Sequence, residues 1–171
     1  MSEFSESYHL MAVDRETAIE LIKKSGNKGY VFEEKNGWVT FLIDGPGFDI
    51  NESVVRCNSG LLAHYIYAED HGWQFQIFNK DKIVFDYKCD WSDEIIIDKD
   101  CFDLEVINEL IVSQGNETSN IEEIFDIDEY DFEDPPAYQL AEKIGLVNYE
   151  WISLDYLISD DLNNKAIVYV G

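Results

Sequence analysis

Glu69-Asp70-His71 sets two carboxylates directly ahead of an imidazole, the residue types that general acid–base work or a metal ion needs. Adjacent side chains in a tight turn point apart, however, and the position-matched run Glu34-Lys35-Asn36 keeps the Glu without the Asp or the His. The expectation is a hairpin turn. Asp126-Ile127-Asp128-Glu129-Tyr130 begins with the carboxylate spacing of a calcium loop, but Tyr130 stands at the fifth position and Asp131 where glycine is required. The chain has no phosphate-binding loop, GxSxG elbow, HExxH, CxxC or GxGxxG run. No catalytic residue, cofactor or metal is therefore assigned. Cys57, Cys89 and Cys101 are odd in number and unpaired in spacing, which suits reduced thiols rather than a disulfide framework or a zinc site.

What positions Glu69 is a string that occurs twice. Tyr30-Val31-Phe32-Glu33-Glu34-Lys35-Asn36-Gly37-Trp38 returns 35 positions later as Tyr65-Ile66-Tyr67-Ala68-Glu69-Asp70-His71-Gly72-Trp73, with Tyr, Glu, Gly and Trp in register. The match extends back to Asp14 and Asp49, and forward to Ile43 and Phe78. Asn36-Gly37 between two strand-like runs is a type I′ hairpin signal, because both central residues accept positive φ. Asp14 caps a helix with Ala18, Leu21 and Ile22 at helical spacing, Lys23 and Lys24 in its last turn and Gly26 as its stop.

The two units, 7–44 and 47–89, read as tandem strand-helix-strand-strand repeats. They predict an α+β fold: a mostly antiparallel sheet with helices packed on one face. If the units enclose a cleft, Tyr30, Glu34, Trp38, Tyr65, Glu69 and Trp73 line it, and the chain is a small-ligand-binding or enzymatic domain. The competing expectation for Trp38 and Trp73 is cross-strand packing.

Further on, Leu104, Ile107, Leu110 and Ile111 place a helix over 100–113. Gln114 to Asn120 reads as a linker. The duplicated part is then 1–115, and 116–171 is an acidic C-terminal α/β extension packed on the same core. Pro135-Pro136 opens a helix that Gly145 closes, and Ala166 to Val170 is a terminal strand.

The net charge is −24, and it is uneven: residues 1–88 carry a net of −5 and residues 89–171 a net of −19. Phosphate backbones and anionic membranes are recognised by Lys and Arg, so nucleic acid and such membranes are excluded as partners, and a basic protein is the electrostatic match. From Glu117 to Asp134 nine acidic residues meet no basic one. Asp126, Asp128, Asp131, Glu133 and Asp134 would steer such a partner while Tyr130 and Phe132 anchor it. This is the mode of an immunity protein on a nuclease toxin or a DNA mimic on a DNA-binding protein, and it points to a non-enzymatic protein-binding module. The alternative is that the acidity serves solubility alone. Apolar runs such as Ile95-Ile96-Ile97 are far short of the roughly 18 residues of a membrane span, and the acidic start lacks a secretory pattern, so the expected location is cytoplasmic.

Overall fold

In the computed structural model, which describes residues 2–128, 133–159 and 166–171, the chain opens with strand β1 (Phe4–Met11), helix α1 (Glu16–Lys24) and the hairpin β2 (Gly29–Val31) and β3 (Trp38–Ile43). Helix α2 (Glu52–Cys57) follows, then the meander β4 (Leu61–Ala68), β5 (Gly72–Asn79), β6 (Lys82–Asp90) and β7 (Ile96–Cys101). Helices α3 (Leu104–Ser113), α4 (Ile121–Phe125), α5 (Pro136–Lys143) and α6 (Leu154–Ser159) precede strand β8 (Val168–Val170). The fold is α+β.

All eight strands join one antiparallel sheet in the order β7-β6-β5-β4-β1-β3-β2-β8. Local chemistry explains its first turns. Asn36 and Gly37 take φ of 57° and 84°, as the type I′ turn demands. Arg15 rather than the expected Asp14 stands at the N-cap of α1, with Asp14 one position earlier accepting the Glu16 amide at 3.1 Å, and Asn51 caps α2 by accepting the Val54 amide at 3.2 Å.

The expectation of helices on one face is corrected: they cover both. α1 and α2 bury Ala18, Leu21, Ile22 and Val54 against Tyr8, Leu10, Val39 and Phe41. On the opposite face α3, α4 and α5 bury Ile107, Ile111, Ile124, Phe125 and Leu140 against Tyr65, Trp73, Phe75, Phe85 and Tyr87. The cause lies in the central strands. β3 is buried from Trp38 to Leu42 and β4 from Leu62 to Ala68, so both side-chain parities need cover.

Two other expectations shift. In the second unit, the stretch matched to the end of β1 forms no strand, because Asp44 to Ile50 bends over the sheet with Phe48 at φ 63°. β1 instead pairs with β4 directly. The helix placed over 100–113 begins at Leu104, where Asp103 caps by accepting the Glu105 amide at 3.0 Å, since residues 96–101 are drawn into the sheet as β7. In the C-terminal part, α4 and α5 share the core of α3, and β8 pairs with β2 at the far sheet edge. No helix among the described residues is long and apolar enough to cross a membrane.

Candidate functional site

Strand register assembles three rows of residues across the face of the sheet that lies opposite α3, α4 and α5. The first runs Phe4, Ala68, Gly72, Asp90, Ile96; the second Glu6, Ile66, Gln74, Lys88, Asp98; the third Tyr8, His64, Gln76, Asp86, Cys101. Toward β1, Tyr8, His64, Ile66 and Ala68 are buried while Phe4 and Glu6 are half-buried, and the α1 and α2 side chains cluster with Tyr8, Leu10, Leu62 and Phe78 at that end. Toward β7 they open to solvent: Lys88, Ile96 and Asp98 are exposed, and Gln74, Gln76, Asp86 and Asp90 are half-buried.

The open end is a carboxylate cluster. Asp86 accepts a hydrogen bond from Gln76 Nε2 at 3.3 Å, which favours its charged form. That bond is outweighed: desolvation first, and then the charges of Asp100 and Asp98, push the Asp86 carboxyl above its ordinary pKa. Asp100 is brought in by the irregular β6–β7 register, which sets Asp86 opposite Cys101 and Lys88 opposite Asp98.

A cavity of about 290 Å³ adjoins the cluster. Gly72 of the first row lines it. A Cβ there would lie 2.0 Å from the Cys89 carbonyl oxygen, so the closeness of β5 and β6 admits only glycine. Ile66 and Ala68 form the floor, Gln74, Lys88 and Asp90 one side, and Phe4, Phe48 and His71 the other. Phe4 meets Phe48 edge-on at 6.3 Å and the His71 ring at 5.9 Å.

The other face carries an arrangement that resembles a nucleophile, a base and an orienting group. Ser7 Oγ lies 2.8 Å from His9 Nε2, and His9 Nδ1 lies 2.9 Å from Thr40 Oγ1. Ser7 and His9 are 0% exposed and Thr40 2%, so no substrate meets them. Burial also drives the His9 pKa down to about 3, leaving a neutral ring that bridges two hydroxyls within the core. Beside it, buried Glu3 accepts from Tyr138 Oη, from Ser5 Oγ at 2.5 Å and from the Trp151 amide at 2.6 Å, tying β1 to the C-terminal part. This seam is structural.

The residues singled out from the sequence are distributed as follows. Trp38, Tyr65 and Trp73 lie together in the buried core, Trp38 donating from Nε1 to the Ile144 carbonyl at 2.8 Å. Tyr30 stands apart near the β8 edge, its ring 5.0 Å from Tyr169. Glu34 accepts the Gly37 amide at 2.7 Å, and Glu69 accepts the Glu3 amide at 3.0 Å. Of the Glu69-Asp70-His71 run, His71 turns away to Ser92, with Nδ1 3.2 Å from Oγ. Asp126 follows α4 and pairs with Lys99 of β7 at 2.5 Å; Asp128, Glu133 and Asp134 are exposed. Tyr130, Asp131 and Phe132 lie outside the described residues.

Sequence reasoning missed Asp86, Asp90, Asp98 and Asp100. Their signal was acidic residues at even positions of two strand-like runs, 86–90 and 98–100. Among the described residues no group of three or more His, Cys, Asp or Glu side chains is placed to hold a metal ion. In comparison with known proteins, no family model, curated protein or solved structure matches this chain.

Proposed function

We propose that this chain is a protein-binding module that receives a basic protein on the acidic edge formed by β6, β7 and the Asp126–Asp128 stretch that follows α4. The observation that carries the reading is the register of β6 and β7, which gathers half-buried Asp86 and Asp90 with exposed Asp98 at one open end of the sheet, where burial and the charges of Asp100 and Asp98 raise the Asp86 pKa. Keeping like charges together on a partly desolvated sheet face opposes folding, and it is relieved by cationic side chains arriving from outside. Asp126 is answered by Lys99, and exposed Asp128 beyond it adds to the negative field that steers an approaching partner to this end of the sheet. The fold by itself carries no function, and the reading rests on this site.

The test is capture of proteins at low salt on the immobilised chain, with two controls: Asp86, Asp90, Asp98 and Asp100 changed together to Asn, and Asp126, Asp128, Asp131, Glu133 and Asp134 likewise neutralised. A basic protein retained by the native chain, released as salt rises and lost from the neutralised variants is the expected result. Retention of the same proteins by all three, or of none by the native chain, removes the proposal.

A further inference from the structure

We propose that the cavity between Phe4, Phe48 and Gly72 is the anchor pocket of this interface, and that it takes one aromatic side chain from a basic segment of the partner. The inference rests on the reading above and adds what the partner inserts. Four observations lead to it.

The cavity opens on the same face as the carboxylates, with Asp90 belonging to both. Its lining includes an exposed apolar side chain, Phe48 at 42% exposure, in a region otherwise crowded with charge. Phe48 is presented there at a conformational cost: its φ of 63° is a backbone state that bulky side chains rarely adopt, stabilised by a 2.8 Å hydrogen bond from its amide to Glu6 Oε1. Finally, the volume of about 290 Å³ is at the bottom of the range of roughly 300–1,000 Å³ for whole small-molecule sites, and suits a single ring system.

The lining chooses among side chains. Lys88 at the wall disfavours insertion of a second ammonium or guanidinium, whereas its cation is attracted to the face of a neutral ring. Phe4, Phe48 and His71 offer ring edges and faces to such a guest. Residues flanking the guest fall over Asp90 and Asp98, where Lys or Arg is favoured. An aromatic anchor bracketed by basic residues fits both halves of the surface, the ring excluding water while the cations answer the carboxylates.

The probes are two synthetic peptides, acetyl-Lys-Lys-Trp-Lys-Lys-amide and its counterpart with Ala in place of Trp, titrated into the full ¹⁵N-labelled chain. The Trp peptide is expected to bind at least about tenfold more tightly, with amide shifts centred on Gly72, Gln74 and Lys88. Ala68→Phe, which fills the floor, should reduce the Trp peptide to the level of the Ala peptide and leave the latter unchanged. Phe48→Gly, which removes the exposed ring and suits the positive φ, should weaken the Trp peptide several-fold without lowering the melting temperature, and serves where Ala68→Phe does not fold. Equal, salt-sensitive binding of both peptides overturns the anchor pocket and leaves the acidic interface standing. Shifts confined to other surfaces, or variants that bind as the native chain does, also overturn the pocket. Failure of both peptides to bind overturns the pocket and the interface together.

Discussion

The Phe48 amide donates to Glu6 Oε1 at 2.8 Å, and the same carboxylate, through Oε2, lies 2.8 Å from His64 Nε2. One side chain on β1 thus fixes both the loop that carries Phe48 and a ring buried on β4. Glu6→Leu removes both partners and leaves His64, 2% exposed, without its carboxylate. A loss of about 2–4 kcal/mol is expected, lowering the melting temperature by roughly 5–10 °C. Glu6→Gln keeps an acceptor for the Phe48 amide and should lose less. Thermal unfolding gives the stabilities, and hydrogen exchange at the Phe48 amide should accelerate in the Leu variant.

Asp86 predicts the opposite sign. Its folded pKa is raised, so the charged form is the one folding disfavours, and the destabilisation is present at pH values above the folded pKa and relieved as pH falls through it. Asp86→Asn retains an oxygen for Gln76 and removes the repulsion from Asp100 and Asp98. Because the group is half-exposed and solvent screens it, the gain is small, with a rise in melting temperature on the order of 1 °C at pH 7. Binding of a basic partner should weaken in the same variant. A fall in stability, or unchanged binding, contradicts this account of the cluster.

His9 sets an acid limit. The folded pKa is depressed to about 3 against an ordinary value of 6.5, so below pH 6.5 the unfolded chain takes a proton that the folded chain refuses. Stability is unaffected above that window and falls as pH drops through it, by up to about 1.4 kcal/mol per pH unit from this group. His9→Gln keeps hydrogen-bonding capacity toward Ser7 and Thr40 without a titrating ring. Urea unfolding between pH 4 and 6 should show a shallower pH slope in the variant, even where its absolute stability is lower.

What was legible in the sequence was local. Asn36-Gly37 and the helix from Pro136 that Gly145 follows are decided by nearby backbone chemistry, and the antiparallel hairpins follow from short connections. The two-sided helix cover was written in the lack of polar alternation along Trp38 to Ile43 and Leu61 to Ala68, a pattern of strands buried on both faces. β7 is different in kind. Its acidic residues acquire strand character from pairing with β6, and that pairing also brings Asp98 and Asp100 to Asp86. The left-handed Phe48 has no sequence signature, since it is imposed by Glu6, 42 positions away. The acidic half of the candidate site was therefore visible as composition, while its geometry and the adjoining cavity depended on register.

Trp38 and Trp73 test how far matched sequence means matched environment. Both follow a hairpin turn and both are buried, at 2% and 1% exposure. Trp38 Nε1 donates to the Ile144 carbonyl just beyond α5, whereas Trp73 Nε1, packed on Tyr87 and Phe125, is buried with no hydrogen-bond partner among the described residues. Changing either to Phe removes a similar volume, so the packing terms largely cancel and the polar atom decides the difference. Trp38→Phe strands a buried carbonyl at the join between β3 and the α3–α5 layer. A loss of about 2–4 kcal/mol is expected. Trp73→Phe deletes a donor that folding had already stripped of water, which offsets part of the lost packing and leaves about 1–2 kcal/mol. Urea unfolding of the two variants checks the ranking: equal losses, or a larger loss for Trp73→Phe, would mean that the bond to Ile144 contributes little to holding the C-terminal helices on the sheet.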